Sequence, residues 1–314
     1  MRIADNTITR NYLNNLSSNT EQLYADSTKV SSGKSYQTAS EDPADAIKAM
    51  KVRSTLAKIS AYQGNIEEAN GIISERETAI SELNKITTEA KAKIVQGESG
   101  TYSASDRKTI ADTLKSYQDT VLSLSNQMYT DKYVFGGSDD YKIPFTVDSS
   151  GKLQYQGQSV DTGTFGSEEV YCDIGLGIDG ASAYNVSSPG STLLGTGTDT
   201  NGVTNNLYNL LGDLADQFSS NNMTDVAKYA DKLSTLSDNL LVSYTSIGEE
   251  SSYLSTFSDR LTTSKTNATK AQSKLENADT AEASVEYSAQ QTAYQATLQV
   301  GAKLIQKTLL DYLN

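Results

Sequence analysis

The chain has 314 residues, a net charge of −13, a pI near 4.5, no histidine and a single cysteine, Cys172. Without histidine there is no Ser–His or Cys–His nucleophile pair, and the commonest transition-metal ligand is missing; one cysteine makes neither an internal disulfide nor a thiolate zinc site. The negative balance argues against nucleic acid or an anionic membrane as partner. Carboxylate chemistry stays open in principle but most easy catalytic designs are gone, and the expectation is no enzyme, no cofactor and no metal.

In chain order, residues 5–31 read as a weak helix. Leu16, Leu23 and Val30 keep a heptad with Leu13 beside it, but Asn11, Asn14, Asn15 and Asn19 dilute it. Such a helix is marginal alone in water and is expected to order only against a neighbour. Ser31-Ser32-Gly33-Lys34 breaks it. Ser40-Glu41-Asp42-Pro43-Ala44 restarts a helix, with Asp42 able to cap and Pro43 suited to the first helical position. Ile59, Ile66, Ile73, Ile80, Thr87 and Ile94 then form a seven-residue ladder, beside Tyr62, Ala69, Leu83 and Ala90, ending near Gln96-Gly97. Gly64 and Gly71 interrupt it at a cost in helix propensity. Ser105-Asp106 starts a further helix with the stripe Ile110, Leu114, Tyr117, Val121, Leu124, Met128, predicting an antiparallel helical hairpin.

From Tyr133 the period changes. Tyr133-Val134-Phe135-Gly136-Gly137 reads as strand and turn, and Ile143–Val147, Asp148–Gly151 and Leu153–Tyr155 as a β-hairpin. Another strand is expected over Val170–Ile174, and residues 181–205 read as loop. Residues 131–220 hold twelve acidic side chains against Lys132, Lys142 and Lys152, and 14 of the 21 glycines: an acidic, turn-rich module. Helix returns near Asn205–Phe218. From Thr224 a second ladder runs through Val226, Leu233, Leu240, Ile247, Leu254, Leu261, Ala268 and Leu275, with a hinge expected at Gly248. At ~1.5 Å per residue it reaches roughly 80 Å. A last helix carries Tyr287, Tyr294, Leu298, Ile305, Leu309 and Tyr312.

Three-four spacing places one apolar stripe on each helix, to be buried against other helices. The expected fold is therefore mainly α: an elongated rod of long coiled-coil-like helices from the N- and C-terminal segments, with a small β-rich module inserted mid-chain. Three parts are expected: terminal helices 1–32 with 279–314, a helical rod 33–138 with 206–278, and the acidic module 139–205.

Other motifs reduce to structure. Gly175-Leu176-Gly177-Ile178-Asp179-Gly180 has dinucleotide-like spacing, but a loop follows where the pyrophosphate site needs a helix. The carboxylates of the middle lack calcium-loop spacing, and Cys172, alternating with Val170 and Ile174, reads as a small buried strand residue. Met1–Arg10 lacks the apolar core of a secretory signal.

Lys29-Val30-Ser31-Ser32-Gly33-Lys34 with Ser40-Glu41-Asp42-Pro43-Ala44 resembles the N-terminal signature of the bacterial flagellin superfamily. Tyr133-Val134-Phe135-Gly136-Gly137, Ala289–Leu298 and the ending Leu309-Leu310-Asp311-Tyr312-Leu313 resemble its hook–filament junction branch more than the filament subunit, flagellin, which is the alternative. The resemblance covers roughly 1–145 and 205–314. It implies a structural role: a ring of subunits joining hook to filament, exported through the flagellar type III apparatus with a chaperone, and therefore extracellular without a cleaved signal peptide. Implied partners are further copies of the chain, a hook-associated protein on one side and flagellin on the other. The seam residues of the terminal helices, Leu13, Leu16, Leu23, Val30, Tyr294, Leu298, Ile305, Leu309 and Tyr312, are the expected assembly interface.

Overall fold

The computed structural model describes the backbone of residues 2–166, 169–175 and 183–312, and the side chains of these residues outside 2–5 and 304–312. Among these residues the elements follow in order: α1 (Arg2–Ser32), α2 (Pro43–Glu98), α3 (Ala104–Ser125), β1 (Met128–Tyr129), β2 (Lys132–Tyr133), β3 (Phe145–Val147), β4 (Leu153–Tyr155), β5 (Gln158–Ser159), β6 (Tyr171–Cys172), β7 (Tyr184–Asn185), α4 (Gly190–Leu194), α5 (Leu207–Ser219), α6 (Val226–Glu276) and α7 (Thr280–Tyr312). They form two compact units, residues 59–262 and residues 1–58 with 263–314. The expected class, long helices around an inserted β module, is what is found.

The unit of residues 59–262 is built on the two ladders. Ile59, Ile66, Ile73, Ile80, Thr87 and Ile94 on α2 are all buried, as are Val226, Leu233, Leu240, Ile247, Leu254 and Leu261 on α6. Each buried aliphatic side chain contributes about 1.5–3 kcal/mol over its exposed state. Thr87 sits in the seam because its hydroxyl donates to the Asn84 carbonyl at 2.8 Å, leaving a methyl to pack. Cross-links from Lys91 to Ser234, Glu77 to Tyr244 and Gln63 to Thr262 run in opposite chain directions, so the two helices are antiparallel. Helix α6 continues unbroken through Gly248, where a hinge was expected; a lone glycine in a helix held by buried neighbours on both sides costs propensity without breaking it.

Asp42 accepts from the Asp45 amide at 3.0 Å, and Pro43 is the first residue of α2, as its sequence demands. Helix α3 begins one residue before the expected Ser105: Ser103 and Asp106 form a reciprocal capping box. Helix α3 packs on α5, whose cap Asn206 accepts from the Asn209 amide.

The middle contains three small antiparallel sheets: β1–β2, β3–β4–β5 and β6–β7. The predicted hairpin is β3–β4, in register Val147 to Leu153, with Gly151 at φ +76° and Asp148 accepting the Ser150 and Lys152 amides. The third strand follows through the two-residue turn Gln156-Gly157, both at positive φ, the turn geometry that matches strand twist. The strand expected at Tyr133–Gly137 is the two-residue β2, paired with an unpredicted β1, and Val134 and Phe135 enter the core beyond it. The 181–205 segment is not all loop: it contains β7 and α4. Cys172 does lie on a strand, but half-buried, its thiol pushed upward by burial. Residues 176–180 of the glycine motif lie outside the described residues.

Asn209 anchors this module to α5, accepting from the Leu153 amide at 2.9 Å and donating to Asp161 at 2.8 Å. The rings of Phe145 and Tyr155 meet tilted at 5.0 Å, and those of Tyr155 and Phe165 meet edge-on at 5.5 Å.

Candidate assembly surfaces

Among the described residues there is no group of three metal-binding side chains, and no helix is long and apolar enough to cross a membrane. A shallow polar groove of about 370 Å³ between α2 and α6 is lined mainly by Asn70, Ser74, Glu77, Ser251, Ser255 and Ser258. Ile73 and Asp259 complete its lining. The features that stand out are helical surfaces and the groups that hold the helices in place.

In the unit of residues 1–58 and 263–314, α1 lies along α7. Asn19 donates to Thr297 at 2.8 Å and accepts at its carbonyl from Gln290 at 3.2 Å. Tyr12 lies over Gly301 so closely that a Cβ there would meet its hydroxyl oxygen at 2.1 Å. Among the described residues, the apolar cluster runs from Ile59 to Leu261, and the buried apolar side chains of this second unit are the alanines Ala46, Ala49 and Ala283. Small side chains and hydrogen bonds hold it together.

Of the seam residues expected to form an interface, Leu16, Leu23, Val30 and Tyr294 are half-buried. Leu13 (55 % exposed) and Leu298 (43 % exposed) face outward, joined by exposed Ile8, Tyr24, Val285 and Val300. The side chains of Ile305, Leu309 and Tyr312 lie outside the described residues. The structure brings the two terminal helices together and leaves several of their apolar side chains uncovered.

Sequence reasoning missed two charged groups. Glu276, at the end of α6, is buried and accepts from Arg53 at 2.7 Å, Lys34 at 3.1 Å and Gln272 at 3.2 Å. The Arg53 hydrogen bond, followed by those of Lys34 and Gln272, outweighs burial and pulls its carboxyl down to about 2. Beside it the Glu276 carbonyl accepts from the Ser35 amide, and the Gly33 carbonyl from the Ala278 amide. One glutamate thus ties the α1–α2 connection, α2 and the α6–α7 connection together.

Arg76 is the other. Within the unit of residues 59–262 it is 1 % exposed, held 3.5 Å from Glu250 and donating to the Val186 carbonyl at 3.3 Å. Burial lowers the pKa of Arg76 and raises that of Glu250, and Tyr184 alongside is pushed up to about 12, chiefly by burial and then by Glu250. Nε of Arg76 and Oε2 of Glu250 have no hydrogen-bond partner, so the pair is an ion pair with incomplete hydrogen bonding. A signal existed: Arg76 occupies the ladder column of Tyr62, Ala69, Leu83 and Ala90, where a charge is out of place.

Long helices from both ends of the chain, with a small β module between them in sequence, define a mainly helical class of protein. The family models of the bacterial flagellin N-terminal and C-terminal helical regions match residues 3–140 and 228–313, and the chain belongs to the bacterial flagellin family of flagellar structural proteins. Flagellar hook-associated protein 3 of Escherichia coli is 30 % identical over 121 residues, 38 % of each chain. Flagellin of Bacillus subtilis is 29 % identical over 146 residues, 46 % of this chain and 47 % of that one. The matched segments thus span less than half the length of these curated relatives. In fold, the chain resembles a structure described as a flagellar hook-associated protein from Vibrio parahaemolyticus (TM-score 0.63, 20 % identity, 76 % of this chain and 100 % of that chain). It also resembles FlgL of Bacillus cereus (TM-score 0.54, 17 % identity, 71 % and 99 %) and hook-associated protein 3 of Legionella pneumophila (TM-score 0.60, 11 % identity, 72 % and 98 %).

Proposed function

We propose that this chain is the flagellar subunit that joins hook to filament. The observation that carries the reading is the fold match, which runs over 98–100 % of hook-associated structures and so takes in their middle as well as their helices. The composition agrees: the acidic middle suits an exposed module, and a chain without disulfides suits export as an unfolded polypeptide.

The mechanism is folding coupled to assembly. A unit whose buried apolar side chains among the described residues are alanines gains stability when Leu13, Leu16, Leu23 and Val30 of α1 and Tyr294, Leu298, Ile305, Leu309 and Tyr312 of α7 are covered by neighbouring copies. Burying such residues on docking offsets the entropy lost as the helices become fixed. The nested parts, 1–32 with 279–314, 33–138 with 206–278 and 139–205, are then a packed inner layer, a wall and an outer face. Partners on this reading are further copies, a hook-associated protein on the hook side, flagellin on the filament side, and the export apparatus with its chaperone.

Immunogold labelling of isolated hook–filament particles with an antibody to residues 139–205 tests the proposal. One band at the hook end is expected. Label along the whole filament makes the chain a flagellin, and unlabelled flagella refute a flagellar role for it.

A further inference from the structure

Near the start of α2, Ile47 (55 % exposed) and Met50 (64 % exposed) stand on the solvent side. Lys51, Ser54 and Lys58 share that face by helical spacing and are exposed too. Residues 43–58 hold Lys48, Lys51, Arg53 and Lys58 against Asp45 alone, a balance of +3 within a chain of −13. Lys48 is paired with Asp45 and Arg53 with Glu276, whereas Lys51 and Lys58 make no ion pair among the described residues.

Helix α7 carries the opposite arrangement. Val285, 70 % exposed, is flanked one helical turn away and next in sequence by Glu282 and Glu286, with Ala289 continuing the face. Residues 279–302 contain Asp279, Glu282 and Glu286 and no cation, a balance of −3. Glu282 and Glu286 also form no ion pair among the described residues. Each face is a small apolar ridge bordered by charge of one sign, and neither is covered within its own unit.

We propose that the Ile47–Met50 face of α2 in one copy docks on the Val285 face of α7 in a second copy, with Lys51 and Lys58 opposite Glu282 and Glu286. The partner is a second copy because the charges select it. Two α2 faces would set lysine against lysine and two α7 faces glutamate against glutamate, so the attractive pairing between copies joins unlike faces. A contact between unlike faces is heterologous and leaves a free face of each kind at every step, so it propagates into a ring or helical tube. This deepens the proposed junction role and rests on it.

The test uses the full chain in assembled flagella. Glu282→Lys with Glu286→Lys, and separately Lys51→Glu with Lys58→Glu, should each weaken incorporation about tenfold, as expected from two exposed charge pairs turned repulsive. The four changes together should restore it. Because all four positions are exposed, circular dichroism should show the helices intact. In a Cys172→Ser background, copies carrying Met50→Cys and copies carrying Val285→Cys should form mixed disulfide dimers in isolated flagella. Reversal without rescue, cross-links only between like cysteines, or incorporation indifferent to all four changes would each overturn the docking proposal. If immunogold still marks the hook end in that case, the junction role survives and only this surface assignment fails.

Discussion

Gly64 and Gly71 stand one heptad apart on α2, and the structure predicts opposite responses to the same substitution. A Cβ at Gly64 meets nothing within 4 Å, whereas a Cβ at Gly71 would lie 2.2 Å from the ring of Tyr129. Gly64→Ala therefore gains only the helix propensity of alanine and should stabilise by about 0.5–1 kcal/mol. Gly71→Ala gains the same amount but must displace a partly buried tyrosine, and overpacking of this kind costs about 1–3 kcal/mol. The net expectation is a loss of about 1 kcal/mol, so the two variants should differ by about 2 kcal/mol. Urea denaturation followed by circular dichroism measures both, with equal slopes confirming that the unfolded states match. The control is Gly71→Ala with Tyr129→Ala, where the clash is gone and the helical gain should reappear relative to Tyr129→Ala alone. Equal shifts for the two single variants would refute the claim that Tyr129 is the reason for a glycine in the middle of a buried helix.

Glu276→Gln should cost about 1 kcal/mol in the unit of residues 1–58 and 263–314, the low end for charged hydrogen bonds because Lys34 and Arg53 face solvent. With the carboxyl held down at about 2, the parent protein keeps this contribution above about pH 4.5 and loses it as the pH falls toward 2. An acid titration of helicity should show that loss in the parent and not in the variant; identical curves would remove Glu276 from the account. Arg76→Met alone should destabilise by about 2 kcal/mol by stranding Glu250, with the deficit shrinking at low pH as the raised carboxyl of Glu250 takes up its proton. Adding Glu250→Leu should recover most of it, and strict additivity in the double-mutant cycle would show that the two groups do not interact.

The long helices were legible because their signal repeats. Of the fourteen ladder positions on α2 and α6, set at seven-residue intervals, twelve are buried and Ala268 and Leu275 half-buried; no short-range preference competes with a pattern of that length. Strands β1, β5 and β7 have two residues each and α4 has five, too few for any period to emerge. Tertiary packing made them: Gly190 begins α4 where its lack of a side chain admits the Phe145 ring. Among the assembly residues, the heptad of α1 was visible, but that the buried apolar side chains among the described residues of its unit are alanines was not. Glu276 was beyond reach because Arg53 and Lys34 lie 223 and 242 residues away in the chain. Arg76 was within reach, since a cation in an apolar column is a local anomaly.

Along α6 and α7 the hydroxyls of Thr245, Thr256, Ser284, Ser288, Thr292 and Thr297 donate to the carbonyl four residues earlier on their own helix. Such side chains count as polar in composition yet need no acceptor from a neighbour. Thr297 still accepts from Asn19 of α1 at 2.8 Å, so a hydroxyl satisfied in this way keeps the capacity to accept one bond from a neighbour. A coat of hydroxyls satisfied within their own helices thus makes few demands on a neighbour, where a coat of unsatisfied ones would demand a partner for each.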